Sequence, residues 1–210
     1  MPSPAATGQP APRQVVGYTL RNSRYLNVTA RCTLRCGFCP KFNGSLEVGG
    51  HELRLCTEPS ADELVAAAPD ARAFDEVVFC GYGEPTLRLD AVLEAAARLT
   101  ARGARVRLNT DGLANLVHGR DVTPDLAGRF DALSISLNAQ DEANYVRHCQ
   151  PTLPGSYAAL LDFARRATAH VRQVTLTALD GLDGVDVGAC ARIADGLGVA
   201  FRARTLGRVG

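Results

Sequence analysis

Apolar and polar residues alternate along this chain with two periods that take turns, one of about two residues and one of about three and a half. Runs of the shorter period predict strands at residues 25–29, 76–80, 106–110, 132–137, 171–178 and 199–204. Helical spacing fills the intervals. Ser60 and Glu63 form a capping box that opens a helix over 60–68, and Pro69 stops it. Leu89, Val92, Leu93, Ala96 and Leu99 share one stripe, closed by Arg102 and Gly103. A short helix is expected near Asp125. Tyr157, Leu160, Leu161 and Ala164 mark another helix, and Val187, Cys190, Ala194 and Leu197 the last. Strands separated by helical crossovers make a parallel sheet.

Strands covered by helices on both faces are almost continuously apolar. The later strands here are not. Leu133, Ile135 and Leu137 oppose Ser134, Ser136 and Asn138, while Val174, Leu176 and Ala178 oppose Gln173, Thr175 and Thr177. Val199, Phe201 and Ala203 oppose Arg202 and Arg204, and Arg107 and Asn109 repeat the pattern one strand earlier. Unpaired polar groups packed under helices would cost several kcal/mol each, about 2 or more. The polar side therefore faces a polar ligand, and the fold expected is α/β: an open, partial (β/α)6 barrel of parallel strands with helices outside. A closed eight-unit barrel typically needs ~250 residues; this chain has 210.

Composition changes the picture in a few places. Residues 1–14, rich in Pro and Ala, read as a disordered tail, and 15–210 as one barrel domain. The net charge is +1, from 23 basic and 22 acidic residues, which argues against a main task of gripping nucleic acid or an anionic membrane. No apolar run reaches the ~18 residues of a spanning helix, and the N-terminus is not a signal peptide, so a cytoplasmic protein is expected. Seven cysteines are too few and too unevenly placed for a disulfide scaffold in a chain of this length. Lys41 is the sole lysine, two residues past Cys39.

Cys32, Cys36 and Cys39 form CxxxCxxC directly after the first strand. Three thiolates on a short loop can ligate three irons of a four-iron cubane and leave the fourth open to a small molecule. A competing arrangement takes Cys36, Cys39, His51 and Cys56 as a Cys3His zinc site in a non-catalytic or electron-transfer protein, leaving Cys32 without a role. The next strand favours the cluster, because it ends in Gly81-Tyr82-Gly83-Glu84-Pro85. A glycine turn there lets main chain approach a ligand at the C-terminal strand ends, where such folds bind.

With those motifs in place the chain resembles the radical S-adenosylmethionine (SAM) enzymes over residues 25–204. It looks in particular like the small single-cluster members associated with TatD-type hydrolases, through CGFCPKFNG, GYGEPTLR and SISLNAQDEANY. The resemblance implies one 4Fe-4S cluster on Cys32, Cys36 and Cys39, with SAM on its open iron. It implies that Phe38 seats the adenine and that the main chain of Tyr82, Gly83 and Glu84 meets the methionyl amino group, Tyr82 standing where the family has glycine. Asn109 and Thr110 fall in its strand-three turn, Ser136 and Asn138 at its ribose and carboxylate positions, and Thr177 at the same height on strand five.

The resemblance further implies a 5′-deoxyadenosyl radical that abstracts hydrogen from a substrate, with a peptide or protein among the candidates. Activation of a glycyl-radical enzyme is an alternative within the class. A flavodoxin- or ferredoxin-type electron donor is implied as a partner. Cys149 is a weak catalytic candidate, as a hydrogen-atom donor on a loop; Cys80 and Cys190 read as core. With the chain ending after strand six, residues 41–59 are the expected lid, and a large substrate or partner is expected to complete closure near Lys41 and His51.

Overall fold

The computed structural model describes residues 14–206, so the tail expected at 1–14 lies almost wholly outside the described residues. The strands β1 (Gly17–Leu20) and β2 (Ser23–Asn27) form a hairpin. A second, small hairpin follows, β3 (Glu47–Val48) with β4 (His51–Glu52). Helices and strands then alternate: α1 (Ala61–Ala66), β5 (Glu76–Cys80), α2 (Leu89–Ala101), β6 (Val106–Thr110), α3 (Ala114–His118) and β7 (Ala132–Ser136). They continue through α4 (Glu142–Cys149), α5 (Ser156–Ala167), β8 (Gln173–Asp180), α6 (Val187–Gly196) and β9 (Ala200–Thr205).

The main sheet runs β1-β2-β5-β6-β7-β8-β9, and every pairing from β2 onward is parallel. These are the six parallel strands of the expected partial barrel. β1 adds an antiparallel edge that four residues of alternation do not reveal, joined to β2 through Arg21 at φ +52°.

The principal core lies between the sheet and its helices. Val77 and Phe79, Val106 and Leu108, Leu133 and Ile135, and Val174 and Leu176 are all buried there. α1 forms as expected, with the Ser60–Glu63 capping box closed in both directions. Two helical expectations are corrected. The helix near Asp125 is a 3-10 turn over Thr123–Leu126, preceded by α3. The segment after β7, read as a loop, is α4, opened by Asp141, whose carboxylate accepts from the Asn144 N–H at 2.8 Å.

The other face of the sheet carries its polar residues in register. Asn109, Ser134 and Thr175 lie side by side, Ser136, Thr177 and Arg202 one step on, and Leu179 with Arg204 beyond. Part of this face is covered. The 41–59 segment expected as a lid folds over the β1–β2–β5 end, where Val48 and Leu53 bury against Tyr18, Val78 and Cys80 in a second core. Gly49 (φ +56°) and Gly50 (φ +81°) make the tight two-residue turn of its hairpin, which a left-handed backbone requires.

Candidate active site

The three cysteines follow β2 at its C-terminal end. Their loop is held from two sides. On one, the N–H of Arg35 donates to the carbonyls of Cys149 (3.0 Å) and Gln150 (3.3 Å), and that of Gly37 to His148 (3.0 Å). Leu34 bridges to Pro151, and Thr152 donates N–H and hydroxyl to the Thr33 carbonyl, both at 2.9 Å. The end of α4 is therefore the floor of the cysteine loop. On the other side stands the glycine turn after β5. The Glu84 N–H donates to the Arg31 carbonyl at 2.7 Å. A Cβ on Gly83 would lie 2.1 Å from that same carbonyl and 2.6 Å from that of Thr29, so only glycine lets the two main chains meet.

Glu84 reaches inward from this turn and is buried. Its carboxylate accepts from the Thr86 N–H (3.0 Å) and hydroxyl (2.7 Å), the Thr110 hydroxyl (2.7 Å) and the Asp111 N–H (2.6 Å). The Thr110 hydroxyl also accepts from the Gly112 N–H at 3.1 Å, and Asp111 receives the Thr33 hydroxyl. Burial and the neighbouring Asp111 carboxylate raise Glu84 to about 8, against the opposing pull of its donors. Burial likewise raises Asp111. One carboxylate pair thus ties the ends of β5 and β6 to the cysteine loop.

The thiols are half-buried. Burial pushes Cys32 up to about 12; the Leu34 N–H, 3.4 Å from its sulfur, opposes this, and Asp111 and Glu84 add to it. The hydrogen bond to Cys149 and burial push Cys36 up. Thiols so placed stay protonated unless a metal holds the thiolate. Cys149 is fully buried at the end of α4, facing Cys36 and receiving the Asn138 side-chain N–H at 3.6 Å. That corrects its reading as a loop thiol, because Cys149 closes a helix and is buried against Cys36.

Beside Cys36 and Cys149 two buried polar atoms have no hydrogen-bond partner among the described residues, the Tyr145 hydroxyl and Nε of Arg204. Tyr145 lies in the field of Cys149, Asp111, Cys36 and Cys32, and Arg204 in that of Arg202, Cys36 and Cys149. Arg204 turns its other edge to Asn138, its Nη2 donating to Oδ1 at 3.3 Å, and Asn138 holds φ +61°. Orphaned donors around sulfur donors fit a polar, anionic group bound at this place. Cys32, Cys36 and Cys39 would hold an iron–sulfur cluster here, with Asn138 hydrogen-bonded to Cys149 and Arg204 to Asn138.

The zinc arrangement does not fit. His51 packs its ring 5.6 Å from that of Tyr18 in the hairpin's own core, and Cys56 is exposed. No three His, Cys, Asp or Glu side chains among the described residues gather as one ion's ligands. A cubane, unlike a zinc ion, takes each thiolate on a different iron and needs no such convergence.

The remaining candidates separate. Phe38 is half-buried against the principal core. Tyr82 leans over the hairpin, its hydroxyl donating to the Glu47 carbonyl at 3.1 Å. The side-chain oxygen of Asn109 accepts from Arg107 at 2.6 Å. Thr177 is buried, its hydroxyl 3.4 Å from the Ile135 carbonyl, whereas Ser136 is half-buried on the open part of the polar face. Tyr145, Asp111 and Arg204 were not among the candidates; the Asp-Glu-Ala-Asn-Tyr run that caps and faces α4 is the signal for the first.

A six-strand parallel barrel with a cysteine loop at its C-terminal rim defines a class of enzymes that perform chemistry at that rim. The Radical SAM superfamily model matches residues 26–195, and the chain belongs to that superfamily. Members of that superfamily use S-adenosylmethionine and an iron–sulfur cluster. The chain is similar to a probable dual-specificity RNA methyltransferase of Opitutus terrae, 35% identical over 119 residues, 53% of this chain and 32% of that protein. It is also similar to a GTP 3′,8-cyclase of Corynebacterium glutamicum, 29% identical over 77% of this chain and 43% of that one. Streptococcus suis SuiB bound to its precursor peptide SuiA shares the fold at TM-score 0.61 and 14% identity, over 87% of this chain and 38% of that chain. The chain spans about a third of the length of the first curated relatives it matches.

Among the described residues no helix is long and apolar enough to cross a membrane.

Proposed function

We propose that this chain binds one 4Fe-4S cluster through Cys32, Cys36 and Cys39 and cleaves S-adenosylmethionine reductively to begin a radical reaction on a peptide or protein. When bound, the reduced cluster supplies one electron to the sulfonium, releasing methionine and a 5′-deoxyadenosyl radical that takes hydrogen from the substrate. The protein's own residues do the rest. The Tyr82–Glu84 main chain and Asn138 hold the amino acid end of SAM, Ser136 and Thr177 its ribose, and Phe38 its adenine. The hairpin over Tyr18 and Val78 keeps water from one side of the polar face. The part over β7–β9 stays open, with Arg202 exposed, and admits the substrate.

The observation that carries this reading is the meeting of the cysteine loop with the glycine turn, where Gly83 leaves no room for a side chain against Arg31. SuiB, of the same fold, is bound to a peptide, which supports a peptide substrate here. The test is anaerobic reconstitution followed by iron and sulfide analysis. About four of each per chain, with brown colour lost in Cys36→Ala, is expected. A colourless protein carrying stoichiometric zinc contradicts it.

A further inference from the structure

From Arg31 to Leu46 the chain carries Arg31, Arg35 and Lys41 and no acidic residue, so three positive charges gather on the cysteine loop of a protein whose total is +1. Arg31 is paired with Glu58, at 2.7 Å. Arg35 and Lys41 have no acidic partner among the described residues; instead both sit over one aromatic ring. The Arg35 guanidinium lies 5.6 Å and the Lys41 ammonium 5.3 Å from the centroid of Phe42. Phe42 ends the 3-10 turn that starts immediately after Cys39, and at 44% exposure it is one of four exposed large apolar side chains among the described residues. Another, Val146, lies on α4, whose C-terminal carbonyls receive the Arg35 N–H.

An exposed ring flanked by two unpaired cations is an adhesive centre in a charged rim, and it faces outward from the loop that bears the thiols. The loop's other sides face the rest of the protein. The barrel interior lies toward Asn138 and Arg204, the end of α4 holds Arg35 and Gly37, and the glycine turn holds Arg31. Arg35, Gly37, Pro40 and Phe42 are exposed, so this patch beside the cysteines is open to a partner.

We infer that the Arg35–Phe42–Lys41 patch is the docking surface of an acidic one-electron carrier protein of the flavodoxin type. The inference rests on the cluster reading above. One electron leaves the carrier's reduced flavin and the cluster gains it. The cations steer an acidic partner and Phe42 supplies the dry contact that holds it. Lys41 also donates to the Ala30 carbonyl, which fixes its ammonium beside the ring.

The test uses the full chain with its cluster reconstituted and an acidic flavodoxin as the probe. Affinity is measured by biolayer interferometry at about 50 and 300 mM salt, and cluster bleaching is followed by stopped flow with reduced flavodoxin or with photoreduced 5-deazaflavin, which needs no docking. Wild type should lose roughly tenfold in affinity over that salt range. Arg35→Ala and Lys41→Ala should weaken binding and flatten the salt dependence, while Phe42→Ser weakens binding without flattening it. All three should slow flavodoxin-driven bleaching about tenfold and leave deazaflavin-driven bleaching within about twofold. Unchanged affinity in the variants overturns the inference, and so does equal slowing with both reductants. Normal flavodoxin reduction with impaired substrate turnover would assign the patch to the substrate and overturn it too. A wild-type protein that deazaflavin cannot bleach would contradict the cluster reading instead, and the binding arm separates the two failures.

Discussion

The main-chain N–H of Glu84 donates to the carbonyl of Arg31 at 2.7 Å, joining the turn after β5 to the residue immediately before Cys32. Gly83 makes this contact possible, because its missing side chain leaves room for the same carbonyl. Gly83→Ala forces a Cβ against two backbone oxygens that cannot swing aside. It should cost about 1–3 kcal/mol or more in urea denaturation and reduce iron uptake. Gly119→Ala, at a left-handed position (φ +62°) with open space around it, should cost about 1 kcal/mol and leave iron content unchanged. Equal iron loss in both would mean that the close approach is not what shapes the loop.

The carboxyl pair behind that turn makes stability depend on pH. Glu84, ordinarily near 4.5, is raised to about 8 in the folded chain, and Asp111 is raised as well. The folded state therefore holds these protons to higher pH than the unfolded state. The contribution of Glu84 is full below pH 4.5 and is lost as pH rises through about 8. Asp111→Asn keeps an acceptor for the Leu113 N–H and removes the repulsion on Glu84. Relative to wild type, the variant should gain on the order of 1 kcal/mol in denaturation free energy between about pH 5 and pH 8.5. A difference that does not change with pH would show that Glu84 ionises without hindrance from Asp111.

Ser136 stands on the polar face opposite Thr177 with no side-chain hydrogen bond among the described residues. Ser136→Ala should weaken SAM binding by about 1–2 kcal/mol in calorimetry on the reconstituted protein. Thr110→Ser should leave it unchanged, since the Thr110 hydroxyl belongs to Glu84 and Gly112. An unaltered affinity in Ser136→Ala removes that residue from the site.

Leu53 is buried where the small hairpin meets the sheet, and Leu53→Ala should cost about 2–4 kcal/mol. His51→Ala should cost less. Neither should alter metal content, because His51 contacts Tyr18 rather than the cysteines. Loss of metal in His51→Ala would restore the zinc arrangement.

The parallel strands and the cysteine loop were legible because each has a local signal. Alternation exposes the polar face, Ser60 and Glu63 announce α1, and CxxxCxxC needs no partner to be recognised. What was hidden depends on contacts far apart in the chain. β1 is four residues whose pairing to β2 completes an edge, and nothing in Gly-Tyr-Thr-Leu requires it. Cys149 looked like a loop thiol because its burial comes from the cysteine loop, 113 positions earlier at Cys36. Arg204 was visible as a polar strand residue, but its unpartnered Nε beside Asn138 exists only once β9 lies against β8. The hairpin had its Gly49-Gly50 signal, yet the surface it covers is set by Tyr18 and Val78.

The central claim is reductive cleavage of SAM at Cys32, Cys36 and Cys39. It is tested most directly by incubating the reconstituted chain anaerobically with SAM and a low-potential reductant, then quantifying 5′-deoxyadenosine and methionine by mass spectrometry. The account predicts both products in equal amounts from wild type and from Cys190→Ala, whose thiol lies in the core, and neither from Cys36→Ala. Equal product from Cys36→Ala, or none from a fully reconstituted wild type, would contradict it.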